Sequence, residues 1–184
     1  MVESAVLSLW THLNKMTIFF TADTHFCHKN IIKLCKRPFK TIHEHDETII
    51  SNWNSVVEPE DIVYHLGDFA WKNRKKVLSI LSRLNGTIYL IIGNHDKKLR
   101  EVEGKLIILG HYHELKIDKK KPLIILSHYA FETWRGSCRG SIHLHGHSHG
   151  RLKRRRNRLD VGVDNHDFTP ISYQNMEFMA TLWC

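Results

Sequence analysis

Five consecutive apolar residues, Ile88 to Ile92, run straight into Gly93-Asn94-His95-Asp96. A strand wet on one face alternates apolar and polar residues, so an unbroken run of β-branched, aromatic and leucine side chains is expected as a central parallel strand, covered by helices on both sides. In open α/β sheets ligands gather beyond the carboxyl ends of such strands. Chemistry is therefore expected where this strand stops.

Four other segments end the same way. The segment Ile18 to His25 runs into Asp23 and His25, Asp61 to Asp68 into Gly67 and Asp68, Leu123 to His128 into His128, and Ser141 to His149 into Gly146, His147 and His149. Between them, Asn30 to Leu34, Glu44 to Val57 and Lys75 to Leu84 carry apolar residues at helical spacing, punctuated by Pro38, Pro59 and Asn85-Gly86. A βαβαβ beginning implies right-handed crossovers and a parallel sheet. Beyond Leu106, strand candidates follow more closely: 106–109, 114–117, 123–126, 142–145, 159–163 and 178–182. The expected fold is α/β, a four-layer α/β/β/α sandwich of two mixed sheets flanked by helices.

A chain of 184 residues suits one domain able to bury a core without disulfides. The division expected is an N-terminal extension over 1–15, a short helix or leader, followed by the functional domain over 16–184. Val2, Val6, Leu9 and Leu13 supply the helical spacing of the extension, while Met16 would itself serve as a start. No apolar run approaches a membrane span and no secretory signal is evident, so a cytoplasmic protein without membrane association is expected. Cys27, Cys35, Cys138 and Cys184 are scattered and form no CxxC pair, which fits a reducing compartment. The net charge of +8 favours an anionic partner. Part of that excess lies in Arg151 to Arg158, which reads as a solvated hairpin or, alternatively, as a nucleic-acid contact.

Collected in order, the residues at strand ends are Asp23, His25, Asp68, Asn94, His95, Asp96, His128, His147 and His149. Carboxylate, amide and imidazole together make a mixed oxygen and nitrogen set suited to manganese, iron or zinc rather than to calcium. That is too many ligands for one tetrahedral ion and suits two ions sharing a carboxylate. Gly67, Gly93 and Gly146 precede these groups and permit close backbone approach.

The succession Asp-x-His, Gly-Asp, Gly-Asn-His-Asp, a lone His after a strand, and Gly-His-x-His resembles that of the calcineurin-like metallophosphoesterases, from Thr17 to about Tyr173. The resemblance implies one metal on Asp23, His25 and His149, a second on Asn94, His128 and His147, and Asp68 as the bridge. It implies that His95 faces the leaving-group oxygen, with Asp96 hydrogen-bonded to the far nitrogen of its ring. Two divalent ions are implied, manganese first, with iron, zinc, nickel or cobalt as alternatives. By formal counting, two such ions with Asp23, Asp68 and one hydroxide retain about one positive charge, which attracts a phosphate ester.

The activity expected is that of a phosphodiesterase on a nucleotide-type or other small phosphodiester, cleaved by a hydroxide shared between the metals. The alternatives are a phosphomonoesterase of the same fold and a non-catalytic binding scaffold. With little chain to spare for a separate cap, specificity is expected from the loops His25 to Pro38 and Phe131 to Gly140. Within the second loop, Trp134 beside Arg135 and Arg139 could hold a nucleobase and its phosphate or simply pack. Lys97 and Lys98 are candidates for steering phosphate.

Overall fold

The computed structural model describes residues 16–71, 74–96, 99, 104–153 and 155–181. The expected helix in the N-terminal extension, Lys97 and Lys98 lie outside the described residues. The first sheet is built from β1 (Ile18–Thr21), β2 (Ile62–His65), β3 (Thr87–Ile91), β4 (Leu106–Gly110) and β9 (Ile171–Ser172), in the order β4-β3-β2-β1-β9. Its first four strands are parallel and β9 is antiparallel to β1. The second sheet contains β5 (Tyr112–Leu115), β6 (Ile124–Ser127), β7 (Ile142–His145) and β8 (Arg158–Asp160), in that order. There β5 runs antiparallel to β6 and the other pairs are parallel. The fold is thus the expected mixed α/β arrangement of two mixed sheets with helices.

The two faces of the first sheet follow from strand periodicity. Phe19, Val63, Ile88 and Leu106 are register partners on one face. After the short helix α1 (Ile31–Leu34), α2 (Ile42–Val56) and α3 (Arg74–Leu81) pack on them through Ile49, Ile50, Trp53, Val77, Ile80 and Leu81. Fully buried Ile49, Ile88 and Leu90 each contribute roughly 1.5–3 kcal/mol by leaving water.

On the opposite face Phe20, Tyr64 and Tyr89 are partners, their rings stacked at 5.8 and 5.4 Å between centroids. They meet Ile124, Leu126, Ile142 and Leu144 of the second sheet. Strand β3 is therefore central and parallel, as expected, but helices cover only one of its faces. The second sheet covers the other, because an apolar run reports burial on both sides without saying what does the burying.

Helix α2 begins at Ile42 because Thr41 accepts the Glu44 N–H at its side-chain oxygen while the Glu44 carboxylate accepts the Lys40 N–H, a variant of the capping box. It stops at Val57, two residues before Pro59. The strand expected over 178–182 is replaced by α4 (Tyr173–Thr181), which packs on β1, β8 and β9. Met176 and Ala180, four residues apart, are its buried positions, whereas Phe178 faces outward. The run was read at strand period, but its buried residues recur at helical period. The strand in this region is β9, directly after Pro170. Among the described residues no helix is long and apolar enough to cross a membrane.

The basic segment closes as a hairpin, with a bridge between Arg155 and Arg158 and Asn157 in the left-handed region. Arg155 and Arg158 both pair with Glu132. Trp134 packs inward, its indole N–H donating to the Ser141 hydroxyl at 3.0 Å, and Arg135 pairs with Glu114. Cys27 lies against the helix-side core.

Candidate metal centre

Parallel register aligns the ends of β1, β2 and β3: Thr21 is opposite His65, and His65 opposite Leu90. The segments that follow, over 22–28, 66–71 and 92–96, emerge at one edge. The second sheet brings the ends of β6 and β7 to the same edge, where the Gly146 N–H donates to the His128 carbonyl. A bridge between Ala22 and Gly162 sews the two sheets together there. All nine expected residues meet at this seam.

Two groups of donors form. Ligand atoms of Asp23, His25 and His149 lie within 4.8 Å of one another, as do those of Asp68, His128 and His147. Asp68 stands between the groups. Its Oδ2 is 3.5 Å from His25 Nε2 on one side and 3.5 Å from His128 Nε2 on the other. Asn94 Oδ1 is 3.0 Å from His128 Nε2, completing the second group.

Three features mark these groups as a cation site rather than a packed polar core. First, Asp23 Oδ1 and both ring nitrogens of His25 are buried without a hydrogen-bond partner. Buried polar atoms are ordinarily satisfied, and an orphan costs about 1–3 kcal/mol. Second, Asp23, His25, Asp68, His147 and His149 all have positive φ, between 47° and 65°, a conformation that costs a non-glycine residue about 1–3 kcal/mol. Third, the backbone makes room for the carboxylates. A Cβ on Gly93 would stand 2.3 Å from Asp68 Oδ1, and one on Gly146 2.8 Å from Asp23 Oδ2.

Electrostatics without an ion complete the picture. Burial raises the Asp23 carboxyl to about 7 despite the lowering influence of His149 and His128. Burial likewise drives His25 far down, leaving a neutral ring able to ligate. For His149, burial acts downward, but the Asp164 carboxylate at 2.7 Å from Nδ1 outweighs it and lifts the ring to about 10. For Asp68, burial acts upward and is overcome chiefly by His128, holding the carboxyl well below its ordinary range.

His128 has its tautomer set by the backbone: Nδ1 donates to the Leu66 carbonyl at 2.8 Å, directing Nε2 into the site. His149 is set differently. Asp164 accepts from its Nδ1 and is gripped by Arg37 through Nε and Nη2 at 2.8 and 2.7 Å. Arg37, itself buried, also donates to the Asp23 carbonyl and to His45 Nε2, and the opposite nitrogen of His45 donates to Asp46. Asp46 in turn accepts the Cys27 N–H.

This relay was absent from the expectations. Asp164 lies beyond the end of β8, in a short turn over Val163–Asn165, and the stretch before it is interrupted by Asp160 and Gly162. Nothing local marks Arg37, His45 or Asp46.

One expectation is corrected. Asp96 does not orient His95: its Oδ2 accepts the Asp68 and Gly93 N–H groups at 2.6 and 2.9 Å, and its Oδ1 accepts the Phe69 N–H at 2.9 Å. A carboxylate beside three inward backbone donors serves them first, so Asp96 clamps the loop that carries Asp68. His95 is held by its own N–H on Asp68 Oδ1 at 2.9 Å, and its Nε2 stands 3.8 Å from Asp68 Oδ2. His143, on β7, is buried and accepts the Phe131 N–H.

Comparison with known proteins agrees with this geometry. The calcineurin-like phosphoesterase superfamily domain matches residues 16–163. An uncharacterized protein of Methanocaldococcus jannaschii is 37% identical over 167 residues, covering 84% of this chain and 86% of that protein. The gene 66 protein of Mycobacterium phage L5 is 28% identical over 178 residues, covering 79% and 86%. The crystal structure of a protein of unknown function from Aquifex aeolicus superposes with a TM-score of 0.69 at 28% identity, over 90% of this chain and all of that one.

Proposed function

The chain belongs to the calcineurin-like phosphoesterase superfamily, and from that premise we propose that it is a hydrolase of phosphodiesters that works with two divalent ions, manganese first among them. The observation carrying the proposal is the convergence of Asp23, His25 and His149 with Asp68, His128 and His147, with the Asp23 and His25 donor atoms buried and unpartnered. Asp23, His25 and His149 would hold one ion, Asn94, His128 and His147 the other, and Asp68, standing between the two groups, would serve both. Bound there, the ions supply Lewis acidity toward a phosphoryl oxygen and lower the pKa of water.

The chain's own groups divide the remaining work. Neutral ligands outnumber carboxylates, so the centre keeps net positive charge for an anionic ester. His95 is not needed as a ligand. Fixed through its backbone N–H and partly open to solvent, it can hold a proton on its ring and pass it to the departing oxygen. A positioned acid matters most for a poor alkoxide leaving group, which favours diesters.

The test is metal content together with hydrolysis of bis(p-nitrophenyl) phosphate after reconstitution with manganese, beside His95→Ala and Asp68→Asn. About two ions per chain and turnover lost in both variants are expected. No bound metal and no turnover with manganese, iron, zinc, nickel or cobalt would overturn the reading.

A further inference from the structure

Trp71 is 47% exposed and belongs to neither core cluster, although its backbone is pinned: its N–H donates to the Phe26 carbonyl at 2.8 Å, one residue beyond His25. The indole lies nearly parallel to the His28 ring, at 4.8 Å and 23°. It stands edge-on to His95 at 4.7 Å and 65°. His28 and His95 are themselves 5.7 Å apart. Trp71 and His28 thus form a wall beside His95, the residue assigned to the leaving group, and the indole shows nearly half its surface to solvent.

A second exposed aromatic, Tyr129, borders the other side of the centre. It is 49% exposed and packs perpendicular to His128 at 5.0 Å and to His147 at 4.6 Å. Those rings belong to the second donor group, so Tyr129 has work in holding them. Among the described residues, Trp71 makes its ring contacts with His28 and His95 and none with His25, His128, His147 or His149.

We propose that Trp71 is the specificity-determining contact of this centre and stacks on the nucleobase of a mononucleotide ester, on the side of the phosphorus that His95 faces. The proposal rests on the phosphoesterase reading above. A rigid indole offers a planar π-surface at little entropic cost, and stacking separates a base from a saturated substituent of similar reach. The backbone bond to Phe26 and the stacked His28 hold the indole in place before substrate arrives, so little ordering is left to do on binding. Trp134, the aromatic that sequence alone offered for this role, is committed to Ser141.

The experiment compares two ligands differing only in the base, hydrolysis-resistant stand-ins for the methyl ester of adenosine 5′-monophosphate (the adenosine ester) and of ribose 5-phosphate (the ribose ester) in which carbon replaces both ester oxygens at phosphorus. Their binding to the manganese-loaded full chain is measured by calorimetry for the wild type, Trp71→Ala, Trp71→Phe and Tyr129→Ala. The adenosine ester should bind the wild type about tenfold or more tightly than the ribose ester. Trp71→Ala should close most of that gap while leaving the ribose ester's affinity unchanged, and Trp71→Phe and Tyr129→Ala should keep it open. A wild type without a gap, a gap that survives Trp71→Ala, a gap closed by Tyr129→Ala, or loss of both esters together in Trp71→Ala would each overturn the proposal. Turnover of bis(p-nitrophenyl) phosphate by the same wild-type preparation reports separately on the hydrolase reading, since base recognition is read from binding alone.

Discussion

The two donor groups of the centre are held by different means. His128 and Asp68 are set by the main chain: the Leu66 carbonyl takes the His128 Nδ1 proton, and Asp96 clamps the N–H groups around Asp68. His149 and Asp23 depend on a relay of charged side chains, Asp164, Arg37, His45 and Asp46, drawn from both ends of the chain. A main-chain support is fixed once its strand is fixed. A side-chain relay can be changed by one substitution at a distance from the donor groups. One half of the centre therefore leans on a backbone carbonyl and a single carboxylate, the other on a chain of four side chains.

The largest effect expected lies on the line between the halves. His95→Ala should lower turnover of bis(p-nitrophenyl) phosphate by about 10²–10⁴-fold while metal content stays at the wild-type level. Loss of metal along with activity would make His95 part of one half rather than a separate proton donor.

Asp164→Asn should then discriminate between the halves. Weakening the orientation of His149 is expected to lower affinity for one ion by about 10–100-fold and to leave the other within experimental error, as read from a biphasic manganese titration. An equal loss at both sites would dissolve the distinction.

The matching change in the other half is Asp96→Asn, which places an amide against backbone donors that needed an acceptor. Its cost should appear mainly as stability, about 1–3 kcal/mol in urea unfolding, with at most a modest loss of metal. If activity fell without any loss of stability, Asp96 would regain the role of a residue acting on His95.

The smallest effect expected is on pH. Asp23 and His149 both have folded pKa values raised above their ordinary ones, so the stability each contributes is present at low pH and is lost as pH rises toward the folded value. In chelator the melting temperature should therefore fall as pH climbs from about 4 toward 7 through Asp23, and from about 6.5 toward 10 through His149. Manganese should suppress both slopes, because ligation requires the deprotonated forms. Titrations at pH 7 in buffers of different ionisation enthalpy should show protons released on metal uptake.

Legibility in the sequence follows the same division. Residues whose placement depends on where a strand stops could be found, because an apolar run ending in a polar group is a local pattern. Asp23, Asp68, His128 and His147 all carry it, whereas Asp164 follows a stretch broken by Asp160 and Gly162 and does not. Arg37 and His45 could not be found this way. Each is an ordinary basic residue until the tertiary fold sets a carboxylate or another ring against it. Asp96 failed for a related reason: its neighbour in sequence is His95, but backbone donors brought by a different loop reach its oxygens first. The Phe178 to Leu182 segment failed because a short apolar run does not declare its period, and only the burial of Met176 and Ala180 resolves it.

The pairing of β1 with β9 has a consequence for the order in which the molecule is made. As the chain leaves the ribosome, β1, β2, β3 and β4 can assemble with α2 and α3 into a parallel half-sheet from the first-synthesised part of the chain. Strand β1 then waits with one edge open until Ile171 and Ser172 arrive, and an open edge is a template for the wrong partner. Asp23 spends the same interval without His149. Assembly of the two donor groups and closure of the vulnerable edge thus both wait for the stretch of chain beyond β7.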